Sequence, residues 1–273
     1  MNFVTVKGVA VPAIGLGTWA LSGRGCIESV RTALELGYRH IDTAEMYGNE
    51  SEIGAAIRDA GFDRTQLFIT TKVPPGKLRA AAAKRCAEES LRRLGTDYVD
   101  LLLVHWPNSQ VPLAETLGAF AELRAAGRTR HIGVSNFPVS LLREAVETHR
   151  ADLFCNQVEY HPYLSQRAVL EAVRHNRMML TAYAPVAKGR VPRDAALAAI
   201  GRKYGKSAAQ IALRWLVDQD SVAAIPKASS RAHLAANLAI FDFTLAPEDR
   251  AAIDAMGGND RLLDFGGSRW DPR

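Results

Sequence analysis

The fold is decided by the stretch Val99-Asp100-Leu101-Leu102-Leu103-Val104-His105-Trp106-Pro107. Its centre, Leu101 to Val104, is apolar at every position, which suits a strand of a parallel sheet that is buried on both faces. Two further runs end in an ionisable residue in the same way, one at Asp42 and one at Lys72. Repeated strands of this kind predict an α/β protein with a parallel sheet.

Strand patterns and helix patterns alternate along the whole chain. Strands are predicted over residues 13–16, 39–43, 67–73, 98–105, 131–135, 154–159, 178–183 and 222–227. The intervening helices are predicted over residues 27–36, 50–60, 78–94, 113–126, 140–148, 166–175, 193–204, 207–219, 231–239 and 247–256. A β-hairpin over residues 3–14 precedes them. Eight βα units without a linker favour one (β/α)8 TIM barrel domain over residues 1–273, with an N-terminal β-hairpin and two extra helices.

Composition excludes several classes of protein. No apolar run approaches the roughly 18 residues that span a bilayer, and the N-terminus lacks the pattern of a signal peptide, so we expect a cytoplasmic protein that binds no membrane. The net charge is +5, but basic residues lie beside acidic ones, which argues against nucleic-acid binding. Cys26, Cys86 and Cys155 are widely spaced and odd in number, which predicts reduced thiols packed as small apolar side chains.

The C-terminal ends of the predicted strands carry the polar residues. Active sites of α/β barrels lie at that face. The residues in question are Asp42, Lys72, His105, Ser135, Gln157, Tyr183 and Lys227, and Tyr47 follows Asp42 within one loop. We therefore expect these side chains to form one site.

Four of these residues suit a proton-donating site. A free tyrosine has a pKa of about 10, and a nearby ammonium such as that of Lys72 would lower the pKa of Tyr47 by roughly 1–3 units. Asp42 would compensate the buried charge of Lys72, and His105 would orient a carbonyl group by a hydrogen bond. Each residue alone also has a purely structural explanation, whereas four at successive strand ends favour the site.

A glycine motif near the N-terminus offers a competing interpretation. The stretch Gly15-Leu16-Gly17-Thr18-Trp19-Ala20 matches the dinucleotide fingerprint G-x-G-x-x-A, with Glu35 at a suitable distance downstream. A true fingerprint opens a helix directly. Here Ser22-Gly23-Arg24-Gly25 follows, which predicts a loop, so the Rossmann interpretation is disfavoured.

Taken together, the motifs resemble those of the aldo-keto reductases. The resemblance rests on Gly15-Leu16-Gly17-Thr18-Trp19, the run from His40 to Glu50 with Asp42 and Tyr47, Ile69-Thr70-Thr71-Lys72 and the stretch ending at His105, and it extends from Gly15 to Met256. It is strongest toward bacterial members that reduce aldehydes, ketones or diketogluconate. It implies NAD(P)H-dependent reduction of aldehydes or ketones to alcohols, with Asp42, Tyr47, Lys72 and His105 as the catalytic tetrad.

The resemblance also implies how the dinucleotide is held. It places Ser135, Asn136 and Gln157 at the nicotinamide carboxamide and Tyr183 against the nicotinamide ring. The other implied cofactor residues are Gly17, Thr18, Trp19, Asp42, Ala184, Pro185, Lys227, Ala228, Ser229, Ser230, His233 and Asn237. A lysine near a helix N-terminus suits a phosphate group on physical grounds as well. His233 stands where NADP-preferring relatives carry an always-charged arginine, so we expect NADP first, with NAD possible.

Apolar side chains are expected around the substrate, a small-molecule carbonyl. Trp19, Trp106 and Phe137 would flank Tyr47 and His105, and Trp270 of the tail is a further candidate wall, unless the tail is an unordered terminus. We expect the protein to be a monomer. The alternative function is a catalytically weak, dinucleotide-binding regulatory barrel subunit. No metal site is predicted, because the histidines and acids lack ligand spacing.

Overall fold

A computed structural model describes residues 2–264 of the chain. It opens with an antiparallel hairpin, β1 (Phe3–Val6) and β2 (Val9–Pro12). The turn residues Lys7 and Gly8 both have positive φ, 49° and 81°, as a two-residue hairpin of type I′ requires. The hairpin valines pack in one buried cluster with Phe68, Leu101 and Phe154, so the hairpin covers one end of the main sheet.

Eight parallel strands form the main sheet, in which neighbours in sequence are neighbours in space. They are β3 (Leu16–Gly17), β4 (His40–Asp42), β5 (Phe68–Val73), β6 (Val99–Val104), β7 (Thr129–Ser135), β8 (Cys155–Glu159), β9 (Met179–Tyr183) and β10 (Val222–Ala224). A parallel bridge between Ile14 and Ala224 and the hydrogen bond from Gly15 N to Ala224 O (2.9 Å) join the first strand to the last. The predicted (β/α)8 barrel is therefore confirmed.

Helices follow the strands around the outside. They are α1 (Gly23–Glu35), α2 (Glu50–Asp59), α3 (Ala80–Leu94), α4 (Leu113–Ala125), α5 (Val139–Arg143), α6 (Arg167–His175), α7 (Ala195–Tyr204), α8 (Ala208–Val217), α9 (Arg231–Leu238) and α10 (Pro247–Asp254). A π-helical turn, Glu144–Thr148, extends α5. The sequence marks several ends: Ser207 and Gln210 form a capping box at α8, and Gly95 ends α3 with a φ of 67°.

Both faces of the barrel strands are buried, as the apolar run in β6 predicted. Leu101 and Leu103 pack in the cluster that contains the hairpin. Leu102 and Val104 pack in the larger cluster that includes the helices. Side chains alternate between the two clusters because successive residues of a strand point to opposite faces.

Several boundaries differ from the sequence-based expectation by a few residues, and two of the differences have a clear physical reason. The last strand ends at Ala224 instead of residue 227, because Pro226 has no N–H to donate to a neighbouring strand. The predicted loop over Ser22-Gly23-Arg24-Gly25 was wrong from Gly23 onward, since α1 begins there. Cys26 is fully buried in the core, and this burial fixes the first helical turn.

The glycine motif has a packing explanation. A Cβ atom on Gly15 would lie 2.7 Å from the His40 ring, and one on Gly17 would lie 2.5 Å from the carbonyl oxygen of Ile225. Such distances are closer than real Cβ contacts. The glycines therefore let the first strand pass close to its neighbours, and their spacing is not that of a Rossmann phosphate loop.

The three cysteines are free and buried, as expected. Within residues 2–264, no helix is both long and apolar enough to cross a membrane. The same part of the chain contains no cluster of three or more His, Cys, Asp or Glu side chains arranged to hold a metal ion.

Candidate active site

A buried ion pair lies at the C-terminal ends of β4 and β5. Lys72 Nζ donates to Asp42 Oδ1 at 2.5 Å and to the carbonyl oxygen of Thr43 at 2.7 Å. The side chains of both charged residues are essentially inaccessible to solvent. The second carboxylate oxygen of Asp42 accepts a hydrogen bond from Gln157 Nε2 at 2.6 Å. Each carboxylate oxygen of Asp42 thus accepts a hydrogen bond, and the ammonium of Lys72 compensates the buried charge.

The ammonium of Lys72 keeps its proton in this environment. Burial by itself lowers the pKa of Lys72, but the charge of Asp42 and the neighbouring Tyr47 phenol outweigh burial, and the net pKa lies above that of a free lysine. The site therefore contains a fixed positive charge next to the phenol.

Tyr47 is brought to this pair by a short turn. It ends a 3-10 turn, Glu45–Tyr47, which Gly48 terminates with a φ of 66°. Lys72 Nζ lies 5.1 Å from the centroid of the Tyr47 ring. The ring of His105 meets the Tyr47 ring edge-on, with the centroids 5.6 Å apart. All four predicted tetrad residues are therefore neighbours at one mouth of the barrel.

The pKa of Tyr47 corrects one expectation. Burial raises the pKa of the phenol, Lys72 lowers it through its charge and a hydrogen bond, and the net direction is upward. The sequence-based expectation of a net decrease was therefore wrong, because it allowed for the neighbouring cation but not for desolvation. The phenol stays protonated at neutral pH and keeps a proton to give.

His105 is neutral at physiological pH. Burial and the nearby Lys72 charge lower its pKa to about 3. Its Nδ1 atom is buried and makes no hydrogen bond with any residue that the structure describes. A neutral imidazole can donate one N–H to a carbonyl oxygen without adding a second cation beside Lys72.

Residues that the sequence analysis left without a role hold the Tyr47 loop. Asn49 donates to the carbonyl oxygens of Thr18 and Leu21, both at 2.9 Å, and accepts from Thr43 Oγ1 at 2.8 Å. The loops after β3 and β4 are joined by these bonds. The position of Asn49, just after the turn glycine in the motif that contains Tyr47, is a signal from which this role could have been predicted.

Polar groups of β7, β8 and β9 form a rim beside the tetrad. The Tyr183 hydroxyl donates to Asn136 Oδ1 at 2.7 Å, and Asn136 Nδ2 donates to the carbonyl oxygen of His105 at 3.0 Å. Ser135 Oγ donates to the carbonyl oxygen of Gln157 at 2.8 Å. Asn136 has a φ of 62°, a left-handed conformation that asparagine tolerates better than most residues.

A separate, positively charged region around Lys227 lies beyond β10. Ser230 caps α9 by accepting from His233 N at 3.3 Å. Lys227, Ser229 and His233 are exposed, and among residues 2–264 no carboxylate forms an ion pair with Lys227. Ala228 and Asn237 are buried nearby. A helix N-terminus next to an unpaired lysine fits a phosphate group.

The amide rim beside the tetrad and the region around Lys227 together fit a nicotinamide dinucleotide. The ring of Tyr183 and the amide rim would hold a nicotinamide with its carboxamide. Lys227 and the start of α9 would hold a phosphate near the adenosine. The remaining implied residues lie along the same mouth, with Gly17, Thr18 and Asp42 at strand ends and Ala184 and Pro185 after β9.

The predicted substrate walls differ in exposure. Trp19 is 55% exposed, whereas Trp106 is 5% and Phe137 1% exposed. Lys188 Nζ lies 5.5 Å from the Trp19 ring centroid, so the loops after β3 and β9 meet across the mouth. Phe137 packs in the main core cluster and offers little surface to a ligand. Trp270 lies outside the described residues.

A barrel with these groups at its C-terminal mouth defines a nicotinamide-dependent carbonyl reductase. The sequence model of the aldo/keto reductase family matches residues 13–257. The chain belongs to this family, as the sequence motifs indicated. It is an oxidoreductase that reduces aldehydes or ketones to alcohols with NAD(P)H. The comparisons give no support to the alternative of a regulatory subunit.

Three relatives illustrate the match. A methylglyoxal reductase, DkgB, of Escherichia coli O157:H7 is 40% identical over 268 residues, which cover 96% of this chain and 100% of the relative. The crystal structure of a putative 2,5-diketo-D-gluconic acid reductase B is 46% identical with a TM-score of 0.97, covering 100% of this chain and 98% of the other. The structure of an aldo-keto reductase complexed with NADPH is 32% identical with a TM-score of 0.90, covering 97% and 90% of the chains.

Proposed function

We propose that Tyr47 is the general acid of this reductase and that Asp42, Lys72 and His105 support it. The observation that carries the proposal is the contact of three groups: Lys72 bonded to Asp42 at 2.5 Å, with its ammonium 5.1 Å from the centroid of the Tyr47 ring. Carbonyl reduction needs a phenol that can give a proton, with a fixed cation and a neutral imidazole beside it.

The chain's residues handle the oxygen of the substrate. A reduced nicotinamide, when bound, supplies the hydride. Tyr47 gives its proton to the substrate oxygen as negative charge develops there; an alkoxide is a much stronger base than a phenolate, so the raised pKa of Tyr47 does not oppose the transfer. Lys72 stabilises the phenolate that remains, and the neutral imidazole of His105 orients the carbonyl by an N–H donor.

The preferred cofactor is NADP, with NAD also used. Lys227 supplies an exposed positive charge for an additional phosphate. His233 lacks the permanent charge of an arginine. Arg231, two residues earlier, forms an ion pair with Glu35 at 2.7 Å, so its guanidinium is turned toward a carboxylate.

The proposed substrates are small dicarbonyls and keto sugar acids. The named activities of the relatives, methylglyoxal and 2,5-diketo-D-gluconate reduction, support this class for the present chain. The test is loss of NADPH absorbance with methylglyoxal, 2,5-diketogluconate and an aromatic aldehyde. Turnover highest with the first two supports the proposal; turnover of the aromatic aldehyde alone contradicts it.

We propose that residues 1–273 form one domain, because one continuous barrel sheet includes all eight parallel strands. We also propose that the protein is monomeric and cytoplasmic. Light scattering tests the oligomeric state. A mass of one chain supports the monomer, and a mass of two chains contradicts it.

A further inference from the structure

A buried glutamate at the start of α2 has no part in the mechanism above. Glu50 is the first residue of that helix, three positions after Tyr47 in the sequence. Only 1% of Glu50 is exposed. An acidic side chain is favoured in the first turn of a helix, because the free N–H groups there carry partial positive charge. A solvent-exposed carboxylate would meet that preference equally well, so the burial of Glu50 has another cause.

Both oxygens of this carboxylate are bound by side chains of β5 and α3. Thr71 Oγ1 donates to Glu50 Oε1 at 2.5 Å. Arg93 donates to Glu50 Oε2 from Nε at 2.8 Å, and its Nη2 lies 2.7 Å from the same oxygen. The buried negative charge is therefore compensated by a guanidinium, and one side chain joins α2 to the next strand and the next helix.

The close packing of α2 on α3 accounts for the contact with Arg93. A Cβ atom on Gly54 would lie 2.5 Å from the carbonyl oxygen of Leu94. Residues 50 and 54 share one face of the helix, because they are four positions apart. Glu50 therefore faces the end of α3, and an ion pair with Arg93 follows from this helix packing. The contact with Thr71 does not follow from it.

Thr71 places a hydroxyl on an otherwise apolar face of β5. Its neighbours on that face, Ile69 and Val73, belong to the large core cluster, and Thr71 itself is 1% exposed. A valine has a similar shape and would bury no hydroxyl at this position. Burying a hydroxyl costs free energy unless it makes a hydrogen bond, and its acceptor here is Glu50. Packing of the core alone therefore does not explain the pair.

The hydrogen bond between Glu50 and Thr71 closes a short path between the two groups that handle the proton. Thr71 faces the outside of the barrel, and Lys72, the next residue of the strand, faces the inside. There Lys72 Nζ lies 5.1 Å from the centroid of the Tyr47 ring. Tyr47 in turn is joined to Glu50 by only two intervening residues. A shift of Glu50 relative to Thr71 would therefore change the separation of the phenol and the ammonium.

We propose that Glu50 is a positioning residue, which sets the separation of Tyr47 and Lys72 by accepting the hydrogen bond of Thr71. This inference rests on the proposed function of Tyr47. Because Glu50 meets the outer face of β5, it acts on the reaction only through the positions of those two side chains. Misplacing a catalytic group by about 1 Å can cost about 10²-fold in rate, so one hydrogen bond at this point is enough to matter.

Thr71→Val and Thr71→Ser form a matched pair of variants. Valine removes the hydroxyl and leaves one oxygen of Glu50 without a donor, whereas serine keeps the hydroxyl. The measurement is the single-turnover rate constant with NADPH already bound, for the carbonyl with the highest turnover in the panel above. We expect a fall of at least fivefold in Thr71→Val and a value within twofold of wild type in Thr71→Ser. A purely structural role would lower the amplitude, which counts folded enzyme, and leave the rate constant unchanged.

Glu50→Gln tests the carboxylate itself, because it turns one acceptor oxygen into an NH2 group that faces a donor. We expect the rate constant to fall at least tenfold, while KM and the Kd for NADPH stay within threefold of wild type. Glu50→Gln combined with Thr71→Val should cost no more than the larger effect alone, since both break the same contact. Glu45→Gln, in the turn that carries Tyr47, is the control. Its partner Lys77 has a side chain that is 42% exposed, and ion pairs of this kind contribute little, so the rate should stay within twofold.

A wild-type rate constant in Thr71→Val would reject the inference, even if the amplitude falls. Independent effects of Thr71→Val and Glu50→Gln, whose fold-losses multiply in the double variant, would reject it as well. If Glu50→Gln does not fold, the comparison of valine with serine at position 71 still decides the question.

A Tyr47→Phe background separates this inference from the proposed function. If Glu50 acts through Tyr47, Glu50→Gln should change the residual rate of Tyr47→Phe by less than twofold. A fall there as large as in the wild-type background would reject the positioning role and leave the role of Tyr47 intact. A wild-type rate in Tyr47→Phe alone would instead reject the proposed function.

Discussion

Lys72, His105 and Tyr47 at the mouth of the barrel each hold one protonation state, and the three states suit proton donation to a carbonyl oxygen. Lys72 stays charged because the Asp42 carboxylate accepts a hydrogen bond from its ammonium group. His105 stays neutral because burial and the same cation oppose a second charge. Tyr47 stays protonated because burial outweighs the cation. Residue types alone indicated which groups meet; the direction of the Tyr47 pKa required the degree of burial, which the sequence does not give.

The histidine makes a prediction about pH and stability. The folded protein holds the His105 pKa at about 3, whereas an unfolded histidine has a pKa of about 6.5. As pH falls from about 6.5 toward 3, the unfolded chain takes up this proton first, so folding is weakened in that window and is unaffected by His105 above it.

The measurement is the melting temperature of wild type and His105→Gln between pH 4 and pH 8. Wild type should lose more stability on acidification than the variant does. A parallel decline of the two proteins would show that His105 is not held neutral by the fold.

The elements were predicted well where their signals are local and poorly where they depend on distant contacts. Helix ends at Gly95 and at Ser207 follow from capping chemistry. The early start of α1 depends on burial of Cys26, and the early end of β10 on a proline next to a closing strand. The close approach of Gly17 to Ile225 joins residues more than two hundred positions apart in sequence, which no local pattern contains.

The first barrel strand should be sensitive to a single methyl group. Gly17→Ala places Cβ at 2.5 Å from a backbone carbonyl, and overpacking of this kind costs about 1–3 kcal/mol. Gly25→Ala is the matched control, because Gly25 is in α1 with nothing within 4 Å of a Cβ. Urea unfolding should show a clear loss for Gly17→Ala and none for Gly25→Ala. Equal midpoints would contradict the packing explanation.

The start of α9 should control the choice of cofactor. His233→Arg adds a permanent charge near Lys227 and should raise the ratio of kcat/KM with NADPH to that with NADH at least tenfold. His175→Arg in α6 adds the same charge away from the site and serves as the control. If wild type already prefers NADPH more than about a thousandfold, the weakened preference assigned to His233 is wrong.

At the scale of the whole molecule, repetition made the fold predictable. Eight strand patterns, each followed by a helix pattern, permit few arrangements other than a closed barrel, and polar residues at strand ends then converge on one mouth. What the pattern could not give are the contacts that cross the barrel. Gln157 donating to Asp42 and the backbone N–H of Leu262 donating to Glu159 both depend on closure of the sheet and on where the C-terminal segment returns.

The central claim is that the Tyr47 hydroxyl delivers the proton. Tyr47→Phe removes one oxygen atom and leaves the ring in contact with His105 and Lys72. The Kd for NADPH, measured by the quenching of protein fluorescence, should remain within about threefold of wild type. The decisive measurement is the single-turnover rate of methylglyoxal reduction with NADPH already bound. We predict a fall of at least about 10²-fold in Tyr47→Phe, in the range of a lost general acid, and a rate within threefold of wild type would contradict the account.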